Sequence, residues 1–368
     1  MTVPLSILDL APLVAGGDAG DALRRTLDLA RQAEQAGYAR YWVAEHHLTA
    51  GVASSQPALL LGQIAAATSH IRLGSGAVQT GYLTPLAIVE QFGLLDALYP
   101  GRFDLGLGRS AQKRTDVVAG PPPPPPVQEE QVVDGLLIPK PFSFAPLLAS
   151  ARSRLFASLL GGPGTDFSEV LDQIQALLAG PIRDAEGNEA RAVPGEGADL
   201  EIWLLGSSGG ESARIAGERG LPFAANYHVA PASVLEAVSA YRNAFRPGVL
   251  PAPRVMVSAD VVVAADDETA RRLASPYAAW VHSIRTGRGA IPFPAPAEDL
   301  YAAWTDDDWQ LVADRTATQF VGSPATVAGR LSTLQRVTGA DELLITTITH
   351  DHADRVRSYE LLAKEWYG

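Results

Sequence analysis

The sequence predicts an α/β protein: a (β/α)8 barrel with a proline-rich insertion after the fourth strand and an irregular one after the seventh. Three observations lead there. Eight short apolar runs alternate with amphipathic segments of helical period. Strands separated by helices pair in parallel through right-handed crossovers, and eight such units close into a barrel. Glycine and polar residues gather where the runs end, and that end is where barrels of this kind carry their chemistry. An open, doubly wound sheet is the competing arrangement, but no GxGxxG turn opens the first helix.

The elements follow in order. Pro4–Leu10 (PLSILDL) is strand-like, and Asp18 is placed to cap the next helix. Between Ala22 and Ala36, Leu23, Leu27, Ala30 and Ala33 recur at spacings of three and four, one helical face, and Gly37 stops it. YARYWVAEH is the second strand and QPALLLGQIAAAT the second helix. IRLGSGAV is the third strand, and PLAIVEQFGLLDAL is the third helix, with Pro85 in its first turn. RFDLGLG is the fourth strand.

The rhythm then breaks. Pro121 to Pro126 are consecutive prolines, which favour extended polyproline II. The region from Ser110 to Gly164 has no clear period apart from a helix expected near Ala149–Leu160. Residues 111–165 are therefore expected to form a partly mobile lid within a single domain spanning 1–368.

Alternation resumes with DFSEVLDQIQALLAG, IWLLGSS, GESARIAGERG and PFAANYH. A helix is expected over Ala232–Phe245, a long strand in RVMVSADVVVA and a helix over Asp266–Arg285. The stretch Gly287–Thr305 is rich in Pro and Ala and reads as irregular. Helix SPATVAGRLSTLQRVTG, strand ELLITTI and a helix over Ala353–Trp366 close the chain.

The totals narrow the function. With 47% apolar and 19% charged residues, the 368-residue chain has the composition of a folded soluble protein. A net charge of −12 argues against nucleic acid and anionic membranes as partners. The absence of cysteine removes disulfides, thiolate metal sites and cysteine nucleophiles. No signal peptide is read at the N-terminus. No apolar run reaches the roughly 18 residues of a membrane helix. A cytoplasmic location is expected.

The strand ends carry the candidate site. The second ends in Glu45-His46-His47 and the third in Ser75-Gly76-Ala77, with Gln79 and Tyr82 close behind. Arg109 follows the fourth, Gly206–Ser212 follow the fifth, and Asn226-Tyr227-His228 end the sixth. A guanidinium suits bidentate contact with phosphate. A glycine- and serine-rich turn into a helix offers an anion site, here Ser207, Ser208, Gly209 and Ser212, with Glu211 expected to face solvent. The plainer readings are an ion pair of Arg109 with Asp104 or Asp116, and simple capping by serine. Glu45, His46, His47 and His228 could converge on a metal, yet no HxxxH or HExxH spacing is present, so no metal is expected. Gly322-Ser323-Pro324 is taken as an ordinary helix start rather than a phosphate turn. Trp280, Trp304 and Trp309 are read as core or interface before substrate pocket.

Four blocks resemble the bacterial luciferase-like, flavin-dependent monooxygenases. They are YWVAEHH, IRLGSGAVQTGYLTPLAIVEQFGLLDALYPGRFDLGLGRS, WLLGSSGGESARIAGERGLPFAANYH and FVGSPATVAGRLSTLQRVTGADELLI. The resemblance implies a (β/α)8 barrel binding reduced FMN at its C-terminal mouth, with oxygen and a small organic molecule as co-substrates. A separate reductase would supply the reduced flavin. His46 matches the active-site histidine, with Glu45 orienting a helix or imidazole near the cofactor. Arg109 matches a phosphate-binding arginine, and Ser75, Gly76 and Ala77 match a backbone floor under the flavin with a cis bond at Gly76–Ala77. Some members use a deazaflavin and transfer hydride without oxygen, and some only bind flavin. A homodimer through the helices flanking strands 2 and 3 is implied.

Overall fold

The computed structural model describes residues 2–109, 128–148, 150–159 and 166–368. Its barrel strands are β1 (Leu5–Asp9), β2 (Arg40–Val43), β3 (Arg72–Ser75), β4 (Phe103–Gly108), β5 (Glu201–Gly206), β6 (Phe223–Asn226), β7 (Val255–Val263) and β8 (Glu342–Thr346). Each pairs in parallel with the next, and β8 returns to β1 through Leu5↔Leu343, Ser6↔Leu344 and Ile7↔Ile345, so the sheet closes.

The helices that cover the barrel are α1 (Ala19–Gln35), α2 (Pro57–Ala67), α3 (Pro85–Leu98), α4 (Phe167–Ala179), α5 (Glu211–Glu218), α6 (Val234–Ala244), α7 (Pro324–Thr338) and α8 (His352–Tyr367). Asp18 caps α1 as expected, accepting from the Asp21 N–H while the Asp21 carboxylate reaches back to the Asp18 N–H. Gly37, at φ +83°, takes the left-handed turn that ends α1.

Period-two alternation sorts the strand residues into two layers. Tyr41 and Val43 face outward into the larger core between barrel and helices. Trp42 and Ala44 belong to the inner core with Trp203, Met256 and Leu344. Trp42 and Trp203 meet edge to face inside the barrel, ring centres 5.4 Å apart. At the N-terminal end of the strands a buried ion network closes the floor. Arg40 bonds Asp104 at 2.7 Å, Glu201 at 2.8 Å and Glu342 at 3.1 Å, while Arg72 and Arg254 hold the same carboxylates from outside. Such pairing is what makes buried charge tolerable, and it leaves the opposite end for chemistry.

The expectations differ from the structure in several places. The third strand is not continuous: after Ser75 the Gly76–Ala77 peptide is cis, as the resemblance implied, and Val78–Gln79 resumes pairing with β4. The helix expected over Asp266–Arg285 is two helices, Asp267–Ala274 and Tyr277–Arg285, parted at Pro276, which has no N–H to continue the ladder. Helix Asp306–Thr318, strand Phe320–Gly322 and the hairpins 131–138 and 182–190 were not read from sequence. The helix expected near Ala149–Leu160 falls as Ala145–Leu148 and Ala151–Leu159. The six prolines lie outside the described residues.

Candidate active site

His46 sits just past the end of β2, two residues beyond Ala44 of the inner layer. Its N–H donates to the Ser54 carbonyl at 2.8 Å, and its side chain is exposed. Glu45 points the other way and is buried. Its Oε1 meets His47 Nε2 at 2.8 Å, its Oε2 accepts the Gln79 N–H at 3.0 Å, and Gln79 Nε2 donates to its carbonyl at 2.5 Å. The imidazole that Glu45 orients is therefore that of His47, whose ring also packs edge-on against Tyr82. Of the two histidines, His46 is the one with the parity of the inner layer, toward the mouth.

At the same end, β3 and β4 form a floor in which backbone packs closely on its neighbours. A Cβ on Gly106 would lie 2.0 Å from the Ser75 carbonyl oxygen, and one on Gly76 would lie 2.6 Å from Leu8. A Cβ on Gly108 would crowd Ala77 at 3.2 Å. Glycine is the residue that lets β3 and β4 approach this closely. The Ser75 hydroxyl is buried and braces β4, donating to the Gly106 carbonyl at 2.9 Å and accepting its N–H at 3.0 Å.

Arg109, just after β4, crosses to the start of α5. Its Nε donates to Ser212 Oγ at 3.1 Å, and its Nη1 donates to Glu211 Oε2. The Phe167 ring of α4 lies 6.0 Å from its Cζ. The first turn of α5 starts at Gly210 without a side-chain cap, so its N–H groups are not taken by a capping side chain. Ser207, Ser208 and Gly209 form the half-buried turn into that helix. The Ser207 carbonyl accepts from Ser233 Oγ at 2.7 Å. Glu211 is half-buried rather than turned fully to solvent as expected, because its carboxylate pairs with the Arg109 guanidinium. Nor does Arg109 pair with Asp104, which Arg40, Arg72 and the Trp42 indole N–H already hold. Asp116 lies outside the described residues.

At the same end, the sequence named His228 but not its partner, and did not name the cluster around Asp260. His228 Nδ1 lies 2.5 Å from Ser258 Oγ, and the imidazole is pushed down to about 3 by burial first, then by the Arg315 and His46 charges. Asp260 of β7 binds Tyr277 OH and Arg315 Nη2, the latter at 3.1 Å, with Arg315 Nη2 also donating to Tyr277 OH at 2.6 Å. Burial raises the Asp260 carboxyl even with Arg315 beside it. The signal in sequence was the inward parity of Ser258 and Asp260 along β7, a polar pair in an otherwise apolar strand.

Trp280 is buried and stacks on Tyr277 in the inner core, which also takes in Phe293 and Ile348. Trp304 is partly buried and Trp309 partly exposed, packed around Tyr301. Gly322-Ser323-Pro324 is an ordinary helix start, as read: the Asp267 carboxylate already accepts the Ser323 N–H at 2.6 Å, filling the place an anion would take. Among the described residues no group of three or more His, Asp or Glu is placed to hold a metal ion.

A family profile described as luciferase-like monooxygenase matches residues 3–129 and 151–342. The chain is 40% identical over 366 residues to YvbT of Bacillus subtilis (strain 168), a protein described as uncharacterised, covering 98% of this chain and 96% of that one. It is 35% identical over 362 residues to a luciferase-like monooxygenase of Escherichia coli (strain K12), covering 98% and 96%. Among solved structures, apo-MsnO8 superposes with a TM-score of 0.77 at 30% identity, covering 99% of this chain and 98% of that one. Two more distant structures share the fold. One is the oxygenating constituent of 3,6-diketocamphane monooxygenase in complex with FMN, with a TM-score of 0.63 at 19% identity and coverage of 99% and 98%. The other is an F420-dependent secondary alcohol dehydrogenase, with a TM-score of 0.62 at 13% identity and coverage of 100% and 99%.

Proposed function

The chain belongs to the luciferase-like monooxygenase family, and from that premise we propose that it is a flavin-dependent monooxygenase. It takes reduced FMN and oxygen and acts on a small organic substrate. The observation that carries this reading is the convergence of Arg109, Ser212 and the uncapped start of α5, at the strand ends that also hold the glycine-rich floor of Gly76, Ala77, Gly106 and Gly108.

The residues fit the cofactor. A guanidinium, a hydroxyl and helix N–H groups hold a phosphate, with Ser207, Ser208 and Gly209 as its turn. A glycine-rich floor admits a flat ring. Reduced FMN, when bound, supplies the electrons that activate oxygen. His46 stands exposed at the same end of the barrel and holds or relays a proton at the reacting atoms, work for which an imidazole is suited at neutral pH. Glu45 acts through His47 and Gln79 to fix the loop carrying His46. Tyr277, Trp280, Phe293 and Ile348 extend the apolar inner core toward the mouth, which favours an apolar organic substrate.

The same phosphate site would serve a deazaflavin transferring hydride, and F420 is the cofactor named for one of the fold neighbours. We take the whole chain as one barrel domain, with 111–165 as its lid. We also take it to be cytoplasmic, supplied by a separate reductase, and dimeric through α2 and α3, where Leu59, Leu86, Leu94 and Leu98 are exposed. Among the described residues no helix is long and apolar enough to cross a membrane.

Anaerobic titration of reduced FMN, and separately of reduced F420, into wild type and His46→Ala tests the reading. We expect both proteins to bind reduced FMN within about threefold of each other. On admission of oxygen, the variant should oxidise its flavin while forming at least tenfold less product, on the scale of a lost general acid–base group. Binding of F420 alone would move the protein to hydride transfer, and binding of neither flavin would refute the assignment.

A further inference from the structure

The anion site already contains an anion of the chain itself. Glu211 occupies the first position of α5, where helix N–H groups favour negative charge, and its carboxylate takes Arg109 Nη1. Arg109 is mostly buried and its Nε is committed to Ser212, so the guanidinium has little freedom to leave for a second anion. A phosphate drawn to the same guanidinium and the same helix start meets the Glu211 charge at close range. Either the carboxylate swings out, giving up a charge-assisted hydrogen bond, or it stays and repels the newcomer.

We propose that Glu211 is a built-in competitor for the cofactor's phosphate, and that its charge sets how tightly the phosphate is held. The proposal rests on the reading of Arg109 and Ser212 as the phosphate site. Both routes act in the same direction. Removing the charge while keeping the shape strengthens phosphate binding and leaves the binding of the ring untouched. In functional terms Glu211 makes the flavin exchangeable: when the cofactor departs, the guanidinium is not left as an unpaired buried charge, because the carboxylate returns to it. That suits a protein that takes reduced flavin from elsewhere and gives the oxidised form back. Among the neighbouring cations, Arg214 is engaged instead by Glu218 at 2.6 Å, so Arg109 is the partner that matters.

The test compares reduced FMN with reduced riboflavin, which lacks the phosphate, in anaerobic titrations of wild type and Glu211→Gln at low salt. The amide of Gln still accepts a hydrogen bond from Arg109, so folding is expected to survive, and melting curves check this. The expected result is that wild type prefers FMN to riboflavin. Glu211→Gln should then bind FMN about tenfold more tightly, the scale of one charge-assisted bond, with riboflavin affinity unchanged. If wild type prefers FMN but Glu211→Gln binds it equally or more weakly, Glu211 positions Arg109 and the competitor proposal is overturned while the phosphate site stands. If wild type does not distinguish the two flavins, the phosphate site itself is wrong, and the competitor proposal falls with it.

Discussion

His46 and His228 face the same mouth but differ in burial. His46 is exposed, whereas burial first, then the charge of Arg315 and the neighbouring His46, lowers the His228 imidazole to about 3. A histidine whose folded pKa is depressed costs stability wherever the unfolded chain protonates first. Stability is therefore intact above the unfolded value of 6.5 and falls as the pH drops from 6.5 toward 3. The slope has a limit of about 1.4 kcal/mol per pH unit, lowered here because the residue keeps some solvent access. Urea unfolding of wild type and His228→Asn at pH 7, 6 and 5 checks this. The difference between the two should shift in favour of the variant as pH falls, and parallel profiles would show that His228 is not held neutral. The same residue marks a boundary of sequence reading. PFAANYH placed His228 at a strand end, but its partner Ser258 lies on the next strand and Arg315 lies 87 residues further along the chain. Arg109 and Ser212 were legible singly, from strand end and helix start. Glu211 was not, because the direction of one carboxylate depends on the guanidinium opposite.

Barrel strands and covering helices were legible because each is a continuous run whose period does not depend on the rest of the chain. The connecting elements were harder. The hairpins 131–138 and 182–190 have strands of two or three residues, too short for alternation to register. Helix Asp306–Thr318 opens with three aspartates and lies between the irregular stretch Gly287–Thr305 and the helix after it, with no element assigned from sequence, although Thr305 and Asp308 form a capping box. What holds that helix down is the buried Asp260–Tyr277–Arg315 cluster, which fastens both Tyr277–Arg285 and Asp306–Thr318 to β7. Breaking one member strands a buried charge, so Arg315→Met should destabilise the protein by about 3–5 kcal/mol, and pairing it with Asp260→Leu should recover most of the loss. Denaturant melts of the single and double variants measure this. Limited proteolysis in Gly287–Thr305 should accelerate in the single variant alone. Equal losses in both would mean the helices are held by apolar packing and the cluster contributes little.

For the whole molecule, the barrel has one floor and one mouth. The ion network around Arg40 closes the N-terminal end, leaving the opposite end for the proposed site, and α2 and α3 form an exposed flank. Leu59 is 74% exposed, Leu98 64%, Leu94 50% and Leu86 44%, on two helices that pack against each other. Exposed leucines on two adjacent helices of a chain with a net charge of −12 are costly to leave in water, and self-pairing about a two-fold axis is the simplest way to cover them. α3 also begins directly after the loop carrying Gln79 and Tyr82, which in turn fix Glu45 and His47. An interface on α3 would therefore brace the loop that presents His46. Replacing Leu94 and Leu98 together by Glu should leave the circular dichroism unchanged, because neither side chain belongs to the core, while sedimentation shifts from dimer to monomer. Reduced-flavin affinity should fall with it, by about tenfold if bracing contributes about 1.4 kcal/mol. A variant that stays dimeric would move the interface elsewhere. One that becomes monomeric with undiminished affinity would keep the interface and remove the bracing.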